Sequence, residues 1–133
     1  MTEPVWIPIE AVLAIQGELL ARFGGLAGIR DEGLLISALN RPLELLNYGE
    51  PDLFDLAAVY AEGIVKNHPF ADGNKRAGFM AAYTFLGVNG QQLEASEEQA
   101  VLQTLALAAG SIGADEFGSW LRESCVACVA CGE

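Results

Sequence analysis

Apolar residues recur at helical spacing along most of the chain, and the breaks fall at glycine, proline and asparagine. Pro8 suits a first helical turn, and Ile9, Val12, Leu13, Gln16, Leu19, Leu20 and Phe23 follow as one stripe. Gly24-Gly25 ends that helix with residues that tolerate left-handed backbone. Asp31 is placed to cap a short helix through Leu34, Leu35 and Ala38 to Asn40, which Pro42 should stop. Residues 43–51, with Tyr48-Gly49 and Pro51, then read as a loop or an extended flap. Asp52 opens the next helix, with Leu53, Leu56, Ala57, Tyr60 and Ile64 on one face and Pro69 at its end. After a polar turn a further helix runs to about Val88. Asn89-Gly90 signals a turn, and Gln92-Leu93-Glu94 a short extended piece. Ser96-Glu97-Glu98-Gln99 is a capping box. The helix it opens, Ala100 to Ala109, is apolar on nearly all sides, which predicts a buried, central position. A last helix from about Ala114 carries Phe117, Trp120, Leu121, Ser124, Cys125 and Cys128 on one stripe. No stretch sustains period-two alternation. The expected fold is therefore all-α, about six helices in one bundle-like domain over residues 1–133, without repeats, low-complexity segments or linkers.

Length and composition agree with this. One domain is expected of 133 residues, and 52% hydrophobic residues supply a core. A formal charge of −11 argues against direct nucleic-acid binding, which needs a basic surface. No apolar run reaches the roughly eighteen residues of a membrane span, and Met1-Thr2-Glu3-Pro4 lacks the basic start of a signal peptide. No membrane association is expected. Cys125, Cys128 and Cys131 are the three cysteines and cannot build a disulfide framework, so a reducing cytoplasm is the simplest compartment. Their CxxCxxC spacing is like that of iron–sulfur ligands, but such sites want four ligands and no other cysteine exists. They read instead as small hydrophobes in a tail at residues 124–133.

The chemistry gathers in His68-Pro69-Phe70-Ala71-Asp72-Gly73-Asn74-Lys75-Arg76, which holds the only histidine. Lys66, Lys75 and Arg76 are three of only seven basic residues in an acidic chain. A turn feeding a helix start leaves backbone N–H groups unpaired, with the positive end of the helix dipole behind them. That is a phosphate cradle. Gly73 lets the backbone turn, and Asn74 suits an N-cap. Lys75 and Arg76 would sit in the first turn, where the dipole disfavours cations unless an anion is bound. Phosphoryl transfer needs these parts. His68 can act as general base, with an unperturbed pKa of about 6.5. Asp72 suits Mg²⁺; Gly73 and Asn74 offer N–H groups; Lys75 and Arg76 neutralise phosphates. Phe70 reads as a core anchor.

The same nine residues resemble the signature of the Fic/Doc family, His-x-Phe-x-Asp/Glu-Gly-Asn-Gly-Arg-x-x-Arg. They match at His68, Phe70, Asp72, Gly73, Asn74 and Arg76, and depart at Lys75 and Phe79. Both departures are those of the Doc branch, the death-on-curing toxins. The segments Arg22–Gly25, Gly28–Leu34 and Tyr48–Phe54 are similar to that branch too, so the likeness spans roughly residues 6–123. It implies a toxin of a toxin–antitoxin system that uses ATP and Mg²⁺. The γ-phosphate would pass to a threonine of elongation factor Tu and stop translation. Enzymes of the family with glycine at position 75 typically transfer AMP instead, and that reading stands as the alternative. The family's inhibitory Ser/Thr-x-x-x-Glu-Gly/Asn helix has no full match here; Ser119-Trp120-Leu121-Arg122-Glu123-Ser124 comes nearest. Inhibition in trans follows, by a Phd-type antitoxin. A rival of another class is a non-catalytic module that docks a partner or nucleotide on the anion site, for which His68 would be dispensable.

Overall fold

The computed structural model describes residues 3–128. They form α1 (Ile9–Phe23), α2 (Glu32–Tyr48), α3 (Leu53–Asn67), α4 (Asn74–Val88), β1 (Gln91–Leu93), α5 (Glu97–Ala109), α6 (Ala114–Ser124) and β2 (Cys125–Ala127). The architecture is all-α, with one small antiparallel ribbon.

The central element is α3. Asp52 and Asp55 close a capping box at its start, and Leu56, Tyr60, Ile64 and Val65 are buried around its circumference. Small residues bring its neighbours close. A Cβ at Gly63 would lie 3.1 Å from Ala38 of α2, and one at Gly78 of α4 only 2.7 Å from Val65 Cγ1. On a third side Gly118 of α6 meets the Phe54 carbonyl.

The expected central helix is thereby corrected. In α5 only Thr104 and Leu107 are buried, and Val101, Leu102 and Leu105 are 51%, 59% and 46% exposed. Much of its apolar circumference is alanine, which carries little area to bury, so the pattern did not compel a central place.

A second correction concerns Pro42. Rather than stopping at Asn40, α2 continues through Pro42 to Tyr48, so residues 43–48 are helical and no flap forms there. An interior proline costs roughly 3 kcal/mol. Several contacts offset it: Pro42 is buried, Leu45 and Leu46 beyond it pack on the core, and Arg41 pairs with Glu62 of α3 at 2.6 Å.

The extended piece at Gln92 is β1, which pairs with β2 in the register Gln91↔Ala127, Gln92↔Val126, Leu93↔Cys125. The cysteines therefore do not continue the α6 stripe as expected: the helix ends at Ser124. Cys125 is half-buried against the core, and burial pushes its thiol up to about 11, an unreactive environment. Cys128 follows β2, its N–H donating to the Gly90 carbonyl at 2.8 Å; Cys131 lies outside the described residues. Asn89 bonds Val5 in both directions, at 2.8 and 2.9 Å, and the Phe85 carbonyl at 2.8 Å. Among the described residues no helix is long and apolar enough to cross a membrane.

Candidate active site

His68 closes α3 in left-handed backbone, φ 49° and ψ 54°. It is the only non-glycine at positive φ among the described residues, a conformation that costs a side-chain-bearing residue on the order of 1–3 kcal/mol. Surrounding bonds hold it. Its N–H donates to the Ile64 carbonyl at 3.1 Å. Its carbonyl accepts from Arg30 Nε at 2.7 Å, and the Asn67 carbonyl from Arg30 Nη2 at 2.9 Å. Pro69's carbonyl accepts the N–H groups of Arg30 and Asp31 at 2.7 and 3.0 Å, and Gly28's carbonyl accepts the Ala71 N–H at 3.0 Å. The α1–α2 connection, residues 24–31, thus runs beside the motif, with Ile29 bridged to Phe70. Phe70 is buried, the core anchor expected of it.

The turn that follows is equally determined. Asp72 Oδ1 accepts the Gly73 N–H at 2.9 Å and Oδ2 the Leu26 N–H at 3.3 Å. A Cβ at Gly25, where φ is +119°, would lie 2.7 Å from Asp72 Oδ2, so only glycine fits beside that carboxylate. Asp72's carbonyl accepts Gln16 Nε2 at 2.6 Å. Gly73 takes the N-cap of α4 at φ 76°. Asn74 is therefore not the cap expected of it. Its Oδ1 accepts the Phe70 N–H at 2.9 Å and its Nδ2 donates to the Phe70 carbonyl at 3.1 Å, so the side chain staples the loop from below. The physical reason is position: Asn74 is already helical, and a cap must lie one residue earlier.

This leaves the N–H groups of Asn74, Lys75 and Arg76 without intrahelical acceptors, since the first α4 bond runs from Ala77 to Gly73. The α4 first turn holds no acidic residue. Lys75 and Arg76 are exposed, and neither belongs to the ion pairs of the described residues, which join Arg41 to Glu62 and Arg122 to Asp52 and Asp55. Arg76 lies over the Phe23 ring, 4.4 Å from its centroid.

These groups face one pocket of about 730 Å³, within the usual range for small-molecule sites. His68, Asp72, Gly73, Asn74, Lys75 and Arg76 all line it, with Phe23 of α1 and Val101, Thr104 and Leu105 of α5 opposite. Lys66 does not join them; its Nζ reaches toward the Ala108 carbonyl at the end of α5. The His68 imidazole is exposed, with Nδ1 3.5 Å from Asn74 Nδ2. Among the described residues no three His, Cys, Asp or Glu side chains converge as a metal cage. Within the motif Asp72 offers the one carboxylate, and Glu97 of α5 also lines the pocket; so few carboxylates fit Mg²⁺ that keeps its waters and phosphate ligands. The Ser119–Ser124 segment belongs to α6 and does not line the pocket.

Two residues that hold the site were not singled out from sequence. Gln16, only 4% exposed, sits under the Gly73 turn with its Oε1 buried and unpartnered. Its signal was a polar residue inside an otherwise apolar stripe. Arg30 lay within the Gly28–Leu34 likeness and was one of few cations, but neither pointed to a role at the motif.

Comparison with known proteins follows the same residues. The model of a family described as Fic/DOC matches residues 6–86. The chain is 46% identical to Toxin Doc of Mycolicibacterium smegmatis over 76 residues, which cover 55% of this chain and 58% of that protein. It is 34% identical to Protein kinase doc of Escherichia phage P1 over 114 residues, which cover 85% of this chain and 90% of that one.

Proposed function

The chain belongs to the Fic/DOC family, and on that premise we propose that it is a Doc-type toxin of a toxin–antitoxin system and a cytoplasmic phosphotransferase. It transfers the γ-phosphate of ATP to a hydroxyl side chain of a translation protein of the elongation factor Tu kind. One observation carries this reading: a single pocket gathers an exposed imidazole, the open start of α4 and two cations with no carboxylate partner. The name of the phage relative, Protein kinase doc, points the same way.

In this mechanism the N–H groups at the start of α4 cradle the phosphates of ATP. Lys75 and Arg76 neutralise their charge as it shifts toward the leaving group. His68 takes the proton of the substrate hydroxyl; that oxygen bonds to the γ-phosphorus, and the bond to the β-bridging oxygen breaks to release ADP. Mg²⁺ entering with the nucleotide would be held by Asp72 and would supply further charge neutralisation. Phosphate rather than AMP transfer follows from Lys75, whose bulk and charge stand where AMP-transferring relatives have glycine.

The Ser119–Ser124 segment of α6 lies away from the pocket, so inhibition comes in trans. A Phd-type antitoxin segment with apolar and acidic side chains fits the exposed Phe23, Val101 and Leu105 beside Lys75 and Arg76. The deciding experiment incubates the purified protein with cell lysate, Mg²⁺ and ATP labelled at the γ or the α position. Label on protein from the γ position alone is expected, and its loss in His68→Ala. Label from the α position alone would establish AMP transfer, and undiminished function in His68→Ala would leave a non-catalytic module.

A further inference from the structure

His68 is held by its backbone more than by its side chain. The imidazole has one polar neighbour, Asn74 Nδ2, at a long 3.5 Å. Where its Cβ points depends on the two peptide planes flanking its Cα. The plane before it carries the Asn67 carbonyl and turns with φ; the plane after it carries the His68 carbonyl and turns with ψ. Arg30 Nη2 donates to the first of these at 2.9 Å and Arg30 Nε to the second at 2.7 Å. A third bond, from the Arg30 N–H to the Pro69 carbonyl at 2.7 Å, fixes the guanidinium's own backbone to the same segment. One residue from another part of the chain therefore holds three consecutive carbonyls.

We propose that Arg30 is the positioning residue for His68: its rigid guanidinium fork locks both torsions of that residue and so aims the imidazole into the pocket. The chemistry suits arginine. The fork presents two donors at fixed separation, and a lysine ammonium spans two planes less well. The cation also sits at the C-terminal end of α3, where the helix dipole favours positive charge. Released from the fork, His68 relaxes from its left-handed conformation, which L residues disfavour, and the imidazole leaves its line. That the aimed imidazole acts as a base rests on the function proposed above; that Arg30 aims it does not.

The protein's single histidine makes the test direct, because one imidazole C–H resonance reports on it alone. Wild-type, Arg30→Lys and Arg30→Ala proteins are compared by proton NMR, by transfer kinetics with ATP and by thermal melting. Expected for Arg30→Ala is a shifted or broadened imidazole resonance and a fall in kcat of roughly 10- to 100-fold, the scale of a misplacement near 1 Å. KM for ATP should stay within about twofold. Arg30→Lys should recover part of the resonance position and of kcat, and it carries the test if the alanine protein does not fold. In a His68→Ala background, Arg30→Ala should lower transfer no further. An unmoved resonance with unchanged kcat in both variants overturns the proposal, and so does a raised KM with unchanged kcat, which would make Arg30 a nucleotide-binding residue. If His68→Ala alone retains full transfer, the base reading fails, while a moved resonance in the Arg30 variants still upholds the positioning role.

Discussion

Two of the helices that border the pocket, α4 and α5, begin in opposite ways. At the start of α5, Ser96 Oγ accepts the Gln99 N–H at 3.1 Å, Gln99 Oε1 accepts the Ser96 N–H at 3.3 Å, and Glu97 and Glu98 face the positive end of the dipole. Every local rule for a helix N-terminus is met from within. At the start of α4 each is broken: the cap is a glycine with no side-chain bond, the asparagine after it turns back into the loop, and the first turn carries Lys75 and Arg76. One start is complete in itself; the other is complete only with an anion on it. The starts of α1 and α6, at Pro8 and Gly113, also lack a side-chain cap, but each has an acidic residue in its first turn; among the helices of the described residues α4 alone has none, and that marks where binding energy is to be supplied from outside.

The contrast can be broken most forcefully at α4. His68→Ala or Asp72→Ala should each lower transfer by about 10²- to 10⁴-fold. The melting curve of His68→Ala should stay near wild type, because that side chain is exposed and makes one long contact, while Asp72→Ala, which also removes the acceptor of the Gly73 and Leu26 N–H groups, should melt somewhat lower; labelled-phosphate transfer and calorimetry read the two effects separately. A smaller change sharpens it. Lys75→Glu with Arg76→Glu should stabilise the ligand-free protein, by about 0.3–1 kcal/mol per charge. It should also abolish the rise in melting temperature that ATP gives wild type and weaken co-purification with the antitoxin. A protein that is steadier and yet inert is the outcome that a merely structural α4 start would not produce. At α5 the expectation inverts: Ser96→Ala should cost about 1 kcal/mol of stability in chemical denaturation and leave transfer unchanged.

The smallest effect lies at α3, whose acidic cap is shared with α6. Burial raises the Asp52 pKa, but the Arg122 hydrogen bond and charge and the Asp55 bonds outweigh it and hold the group below its ordinary 3.8. A carboxylate depressed in the folded state contributes stability that is present above 3.8 and lost as pH falls through the lower folded value. Asp52→Asn keeps an N-cap oxygen and should flatten that part of the acid-unfolding profile, measured by circular dichroism. An unchanged profile would assign acid sensitivity to other carboxylates.

How far the sequence could be read depended on where each feature is decided. The starts of α2, α3 and α5 were legible because Asp31, Asp52 and Ser96 bond their own next turn. The end of α1 and the turn at Asn89-Gly90 were legible for the same local reason. The course of α2 through Pro42 was not, because the penalty is local while the compensation, Leu45 and Leu46 on the core and Arg41 on Glu62, is tertiary. Nor was the rank of α3 over α5: the spacing of apolar residues tells that a helix can be buried, while small residues at Gly63 and Gly78 decided which one was. The motif residues could be named in advance as one group. That Gln16 and Arg30 hold them could not, since both act over 37 or more positions of chain.

The turn at Asn89-Gly90 does more than end α4. It binds Val5 on one side and Cys128 on the other, so the first and last described stretches meet at one place. That place lies a whole helix away from the motif, about 22 Å at 1.5 Å per residue for the 15 residues of α4. A short linker from Cys128 to Val5 could close residues 5–128 into a ring, and new ends could open at the exposed Gly49–Glu50 connection between α2 and α3. The pocket would keep every contact it has, because no residue bonded to His68, Asp72 or Asn74 lies at either point of surgery.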